Sequence, residues 1–345
     1  MKKGVRQALT EINNELGSGT VQTLGTPTRR VRQGTSSGSV LLNAALSGSP
    51  SIGYEWGRII EIYGPEQSGK TTLALHVIAE AQKRDLVCGF VDAEQALDPW
   101  YAENLGVDTD SLIFNQPDYG EQAIEVVLSM IRAGAKVIVV DSVAALTPKA
   151  ELEGSMEQNQ MGLQGRMMGK ALRKISAIVR KAGVVLIFIN QIRMKLGVVF
   201  GNPEDTPGGK ALKFWASYRL EVRSPRGGAE KEKRSLVDGG EKETVETGTA
   251  TKVKIVKNKC FPPFRTADLH IVYGKGIDKF RDVAAFVVKS QNSSTGRIRV
   301  GSKSYTEKTL SIALRKKGPL RQDIARLIKE AASDSNSGSA SRNVE

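Results

Sequence analysis

The chain is poor in cysteine and histidine, with two of each in 345 residues. Cys88 and Cys260 stand far apart in strand-like surroundings, so they are expected as buried free thiols, not as a disulfide or metal site. His76 and His270 make no metal-ligand spacing and read as ordinary packed or exposed histidines. No apolar run approaches the roughly 18 residues of a membrane span. Met1-Lys2-Lys3-Gly4-Val5 opens no apolar signal-peptide core. A soluble, cytoplasmic protein with no membrane partner is the expectation. Acidic residues are also short, 37 against 50 lysines and arginines, for a net charge of +13. That imbalance points to a polyanionic partner without saying which. The length supports one large core with smaller appendages.

What is present is concentrated in Gly64-Pro65-Glu66-Gln67-Ser68-Gly69-Lys70-Thr71. This is G-x-x-x-x-G-K-[ST], a phosphate-binding loop. Glycines let the backbone curl so that successive N–H groups face phosphate oxygens. Lys70 is expected on the β- and γ-phosphates of ATP, and the Thr71 hydroxyl on Mg²⁺. The short apolar strand Arg58–Tyr63 precedes the loop, and a helix opening with Thr72 follows it. The helix N-terminus adds its dipole to the anion site.

From about 34 to 290 the chain alternates strands and helices. Residues 86–92, 136–141 and 184–190 are near-continuous apolar strands, separated by helices over 121–132 and 161–181. Such strands predict an α/β fold with a mostly parallel sheet covered on both faces. Tyr218–Val222 and Thr251–Val256 alternate more and suit flanking antiparallel strands. Residues 5–16 place Val5, Leu9, Ile12 and Leu16 on one helical face, followed by Gly17-Ser18-Gly19 and a short strand from Val21 to Leu24. That helix has no core of its own, and packing on its own domain or on a neighbouring subunit are both open. Loops are expected over 151–160 and 193–210, and a mobile charge-dense segment over 224–249. A helix begins at Pro319-Leu320, and disorder is expected from about Ser333.

Acidic groups fall at the carboxyl ends of the strands, where open α/β sheets bind ligands. Asp141 follows four apolar residues and fits a carboxylate supporting Mg²⁺ through water. Glu94 follows the strand ending at Asp92 and is placed to orient an attacking water, although an ordinary exposed carboxylate is the alternative. Gln191 closes the third strand, where an amide either senses the γ-phosphate or simply caps the strand.

The stretches 61–66, 68–72 and 91–99 resemble the RecA family of bacterial DNA recombinases. So do 139–151, 187–195 and Val256-Lys257-Asn258-Lys259, and the resemblance runs from the first helix to about Asp278. It implies a RecA-type ATPase core that forms helical filaments on single-stranded DNA, pairs it with duplex DNA and exchanges strands. By that resemblance Lys70, Thr71 and Thr72 serve nucleotide and Mg²⁺, Glu94 is the general base, and Gln191 couples nucleotide state to DNA. Tyr101 stacks on adenine, Asp98 approaches its amino group, and Tyr273 and Gly274 border the nucleotide. Lys257 and Lys259 reach the ATP of a neighbouring protomer, beside Phe214 at the subunit interface; taken alone, Phe214 reads as core and the lysines as a solvated face. The resemblance makes 153–162 a first DNA loop with Met161 as a wedge between bases. It makes 191–210 a second, with Arg193, Met194, Lys195, Leu196, Val198, Val199 and Phe200, and with Gly208 and Gly209 offering N–H groups to phosphate. Arg166 and Arg173 follow the first loop, and Arg223, Lys252 and Lys254 resemble a weaker site for incoming duplex.

The implied layout is an N-terminal oligomerisation arm over 1–33 and an ATPase core over 34–278. A small divergent α+β C-terminal domain over 279–332 and a disordered tail over 333–345 follow. The chain departs from the family in a longer 224–249 segment, in Pro207 and Lys210, and in a basic C-terminal region without an acidic tail. Arg297, Arg299, Lys303, Lys308, Arg315, Lys316 and Lys317 supply that charge. A divergent bacterial or phage recombinase fits. The alternative is a RecA-like ring helicase or repair ATPase; a hexameric helicase is expected to lack the pair Lys257 and Lys259. A filament that also prompts repressor self-cleavage would coexist with recombination.

Overall fold

The structure is a computed structural model that describes residues 2–23, 33–154, 162–195, 197, 201, 203–225, 227–235, 242–291 and 296–337. Contacts divide the chain into two units, Met1–Gln33 and Gly34–Glu345. The first holds α1 (Lys3–Leu16), which buries none of its residues. Val5, Ile12 and Leu16 of its apolar face are exposed. The expected strand after it is not found: Val21 instead exchanges two hydrogen bonds with the Asn13 amide, at 3.0 Å each, and Leu24 lies outside the described residues.

The second unit opens with β1 (Gly34–Thr35), α2 (Val40–Ser47) and β2 (Tyr54–Glu55). The parallel core follows as β3 (Arg58–Gly64), α3 (Lys70–Gln82), β4 (Cys88–Asp92), α4 (Pro99–Asn104), β5 (Leu112–Asn115), α5 (Gly120–Arg132) and β6 (Val137–Asp141). Then come α6 (Lys149–Glu153), α7 (Leu163–Ala182), β7 (Val185–Gln191) and the short β8 (Arg193–Met194) and β9 (Glu204–Asp205). The chain continues through α8 (Lys210–Trp215), β10 (Tyr218–Arg223), β11 (Ala229–Ser235), β12 (Lys242–Asn258), β13 (Thr266–Val272) and β14 (Gly276–Ile277). It ends with α9 (Lys279–Ser290), β15 (Arg297–Val300), β16 (Lys303–Thr306), α10 (Glu307–Arg315) and α11 (Pro319–Ser337).

The strand order is β14-β13-β12-β10-β3-β7-β6-β4-β5, with β11 paired to β12. Strands from β10 to β5 are mutually parallel, in register through Ile60, Ile187, Val139 and Phe90. Every residue of β4 and β6 is buried, which is why these strands read as unbroken apolar runs. Two cores result. One face packs α2, α3, α9, α10 and α11 around Leu42, Leu73, Ile78 and Leu310. The other packs α5, α7 and α8 around Val127, Leu172, Phe188 and Leu212. Truncating Phe188 to alanine would cost about 3–5 kcal/mol.

Five expectations change. β10 is antiparallel only to β12; it runs parallel to β3. Within 224–249, the described residues 229–235 and 242–249 are strands, not the expected loop. They pair antiparallel as β11 and β12, with Lys231 opposite Glu246 at 3.4 Å. The start of the expected 151–160 loop is helical in α6, and α11 continues through Ser337, past the expected disorder boundary. Finally, the C-terminal elements cluster with the core rather than apart from it. Asp282 of α9 explains part of that: it accepts from Val40 N at 2.6 Å and Ser39 Oγ at 2.5 Å, satisfying the first turn of α2.

Candidate nucleotide site and nucleic-acid interface

The phosphate loop leaves β3 and enters α3 through Gly69, whose φ of 92° excludes an ordinary side chain. At Gly64 a Cβ would stand 2.0 Å from the Val222 carbonyl oxygen, so only glycine lets β3 and β10 approach there. Ser68 Oγ donates to Pro65 O at 2.8 Å, closing the turn. Lys70 Nζ donates to the same carbonyl at 2.7 Å. Burial lowers the pKa of its ammonium, and the charges of Asp141, Glu94 and Glu66 work against that. Thr72 Oγ1 lies 2.7 Å from the Tyr101 hydroxyl, which fixes the tyrosine beside α3.

The carboxylates gather at the strand ends. Asp141 Oδ2 accepts from Thr71 Oγ1 at 2.6 Å. Burial raises the Asp141 carboxyl to about 6; the Thr71 hydrogen bond and Lys70 oppose this, while Glu94 and Asp92 add to it. The peptide bond between Asp141 and Ser142 is cis. Glu94 accepts hydrogen bonds from Ser142 Oγ and, at 3.0 Å, from Gln191 Nε2. Asp92 is consumed by structure, accepting from Ala96 N, Leu97 N and Gln116. Asp98 caps α4 through Trp100 N at 3.0 Å. Tyr273 is half-exposed, on the turn that Gly274 closes at φ 73°.

This donor set fits a magnesium nucleotide. Mg²⁺ keeps most of its waters and takes one or two protein oxygens together with phosphates. The Thr71 hydroxyl and the Asp141 carboxylate that accepts from it offer that, and no cluster of three or more His, Cys, Asp or Glu that would suit an all-protein metal cage occurs among the described residues.

Lys257 and Lys259 stand elsewhere. Lys257 pairs with Arg219 in the β10–β12 register, and Lys259 N donates to Ser217 O, at the end of the sheet where β3 and β10 begin. The phosphate loop lies at the opposite end, so one chain does not bring these lysines to its own Lys70. Lys257 Nζ donates to Lys213 O at 2.6 Å and Phe214 O at 3.0 Å. Burial pushes its pKa down to about 8, with Lys259 and Arg219 adding repulsion. Phe214 is 70% exposed and so is not the core residue its type alone suggests; Lys259 sits 5.9 Å from its ring centroid.

The residues expected to contact DNA split. Arg166 and Arg173 are exposed on α7, opposite its buried Met168, Leu172 and Ile175 stripe. Arg193, Met194 and Lys195 are exposed on and just after β8, and Gly208 and Gly209 precede α8. Arg223 and Lys252 face each other across β10 and β12, one step from Glu221 and Lys254. Met161, Leu196, Val198, Val199 and Phe200 lie outside the described residues. In the C-terminal region Arg315 is not a free surface cation, since it pairs with Asp278 at 2.5 Å.

Sequence reasoning missed several groups. Ser142 follows Asp141 directly but only the fold brings it to Glu94. Gln164 of α7 ties three segments together, donating to Val143 O at 2.8 Å and Leu146 O at 3.2 Å and accepting from Gly208 N at 3.1 Å. Glu61 is fully buried, held by Arg219 at 2.5 Å and Asn190 at 3.1 Å; a charge inside the apolar run of β3 was the available signal.

Comparison with known proteins identifies the family. The family model for the RecA N-terminal domain matches residues 3–278. The chain is similar to proteins named Protein RecA. That of Paramagnetospirillum magneticum is 47% identical over 344 residues, covering 96% of this chain and 91% of the relative. That of Macrococcus caseolyticus is 52% identical over 279 residues, 81% and 75% of the two chains. That of Colwellia psychrerythraea is 50% identical over 291 residues, 84% and 80%.

Proposed function

This chain belongs to the RecA family, and from that premise we propose how its residues divide the work of an ATP-driven DNA recombinase. Its function is recombination in DNA repair: filament formation on single-stranded DNA, homologous pairing and strand exchange. The reaction at the nucleotide site is hydrolysis of ATP to ADP and phosphate.

Lys70 and the loop amides hold the phosphates. Thr71, backed by Asp141, supports Mg²⁺, which when bound neutralises charge on the β- and γ-phosphates. Glu94 takes the proton of the attacking water. Ser142 and Gln191 hold the Glu94 carboxylate at the strand ends. Tyr101 stacks on the base. The observation that carries the reading is the Gln191–Glu94 hydrogen bond at 3.0 Å. It ties the water-activating carboxylate to the strand end from which the 191–210 loop departs. Adding phosphate or DNA on either side of Gln191 would re-aim the other.

The separation of Lys257, Lys259 and Phe214 from the phosphate loop supports ATP held between protomers, and favours a filament over a self-contained ATPase. The exposed face of α1 supports a helix that docks on a second copy. No described helix is long and apolar enough to cross a membrane, and we place the protein in the cytoplasm. The filament would also serve as a scaffold for repressor self-cleavage, which co-incubation with a cognate repressor tests.

ATP turnover with and without single-stranded DNA tests the whole reading. Strong stimulation is expected; equal rates would overturn the coupling through Gln191. Deleting residues 1–24 should leave ATP binding intact and abolish filaments in electron micrographs. Long filaments from the truncated chain would remove α1 from the interface.

A further inference from the structure

The β8–β9 hairpin carries two carboxylates, and both face cations from the DNA-binding sets. Its register sets Arg193 against Asp205 and Met194 against Glu204, and Lys195 N donates to Pro203 O at 2.8 Å. Asp205 Oδ2 lies 2.6 Å from Lys195 Nζ. Asp205 Oδ1 takes Lys213 Nζ and, at 2.9 Å, the backbone N–H of Thr206. Glu204 pairs with Arg223 of β10. Two ammonium groups and a backbone amide converging on one monoanion are the donors that hold a nucleic-acid phosphate. The Asp205 side chain is 27% exposed and that of Lys195 55%, so the pair is open to exchange from solvent. Burial alone would raise the Asp205 carboxyl; its hydrogen bonds from Lys195 and Lys213 hold it well below the usual carboxylate range.

Resting on the reading of Lys195 as a DNA contact, we propose that Asp205 is an internal stand-in for a DNA phosphate. It positions Lys195 and Lys213 while DNA is absent and yields them when a phosphate arrives. The exchange replaces one negative charge by another, so the lysines stay placed throughout and are never left unpaired. Its consequence is a lowered affinity for DNA, because the incoming strand must break the internal pairs first. A carboxylate at this position thus makes the loop a guarded site.

The test is a double-mutant cycle on the full-length protein, read as anisotropy of labelled oligo(dT) with ATP and Mg²⁺ over a KCl series. Nucleotide binding serves as the folding check. Asp205→Asn, nearly isosteric, should tighten binding roughly fivefold at low salt, the scale of two exposed ion pairs. Asp205→Ala should do the same. Lys195→Ala alone should weaken binding, and adding Asp205→Asn to it should restore less than about twofold. Unchanged or weaker binding by both Asp205 variants overturns the proposal. So does an equal gain with and without Lys195, which would be a bulk charge effect. If Lys195→Ala leaves affinity unchanged, the reading of Lys195 as a DNA contact fails, and that outcome is separate from failure at Asp205.

Discussion

Two cations on neighbouring loops are parked in different ways. Lys70 of the phosphate loop rests on a neutral carbonyl, Pro65 O. Lys195 of the DNA-facing hairpin rests on a carboxylate, Asp205. A lysine on a carbonyl keeps its full charge available to an incoming phosphate. A lysine on a carboxylate must exchange one anion for another. On the proposed roles, the nucleotide site is therefore poised and the DNA surface guarded. The two sites also differ in construction. The first is made of buried strand ends and backbone amides; the second is made of partly exposed side chains.

Breaking the nucleotide site should have the largest effect. Lys70→Ala removes the only lysine of the phosphate loop from the phosphates, and ATP turnover should fall by about 10³ with weakened nucleotide binding. Near-normal turnover in a steady-state assay would contradict the assigned role. Glu94→Gln keeps the shape and the Gln191 neighbour but removes the proposed base. Hydrolysis should slow by roughly 10² while nucleotide and DNA binding persist. Loss of nucleotide binding in that variant would instead make Glu94 a structural group.

The poised site depends on how α3 is seated, and His76 gives that a pH signature. His76 Nε2 accepts from Ile277 N at 3.0 Å, joining α3 to β14. Burial drives the imidazole pKa down to about 4, with Lys279 contributing. In the unfolded chain the same group protonates near 6.5. The unfolded state therefore binds a proton that the folded state refuses. Stability is full above about pH 6.5 and is lost as the pH falls toward 4, by about 2 kcal/mol between pH 7 and pH 5. The melting temperature of His76→Gln should show a shallower drop over that interval. An identical pH slope would show that His76 is not the titrating group.

The smallest effect belongs to the exposed surface. Arg166→Ala should weaken single-stranded DNA binding a few-fold and reduce the log–log salt slope by about 0.7. An unchanged slope with intact folding would take Arg166 off the phosphates. A slope change as large from Asp205→Asn as from Arg166→Ala would blur the contrast between guarded and open cations.

Legibility followed the same division. The phosphate loop and the buried strands were readable, because glycine placement and unbroken apolar runs are local signals. Asp141, Glu94 and Gln191 were readable as strand-end residues. Their partners were not: Ser142 reaches Glu94 only through the turn after β6. The β11–β12 pairing escaped notice because Ala229–Ser235 is charge-dense and leaves no hydrophobic period to see. The direction of β10 was also hidden. An alternating strand looks the same whether its neighbour runs with it or against it.

The sequence by itself determined a phosphate-loop ATPase of this family, since those features depend on residues adjacent in the chain. Only the tertiary structure decided which groups act on one another. Thr71 meets Asp141 across 70 positions, Gln191 meets Glu94 across 97, and Arg219 meets Glu61 across 158. It also decided that Lys257 sits at the far end of the sheet from Lys70, and that Asp205 occupies Lys195. Such pairings arise from strand order and register, which long-range packing selects from many arrangements that the local pattern permits equally.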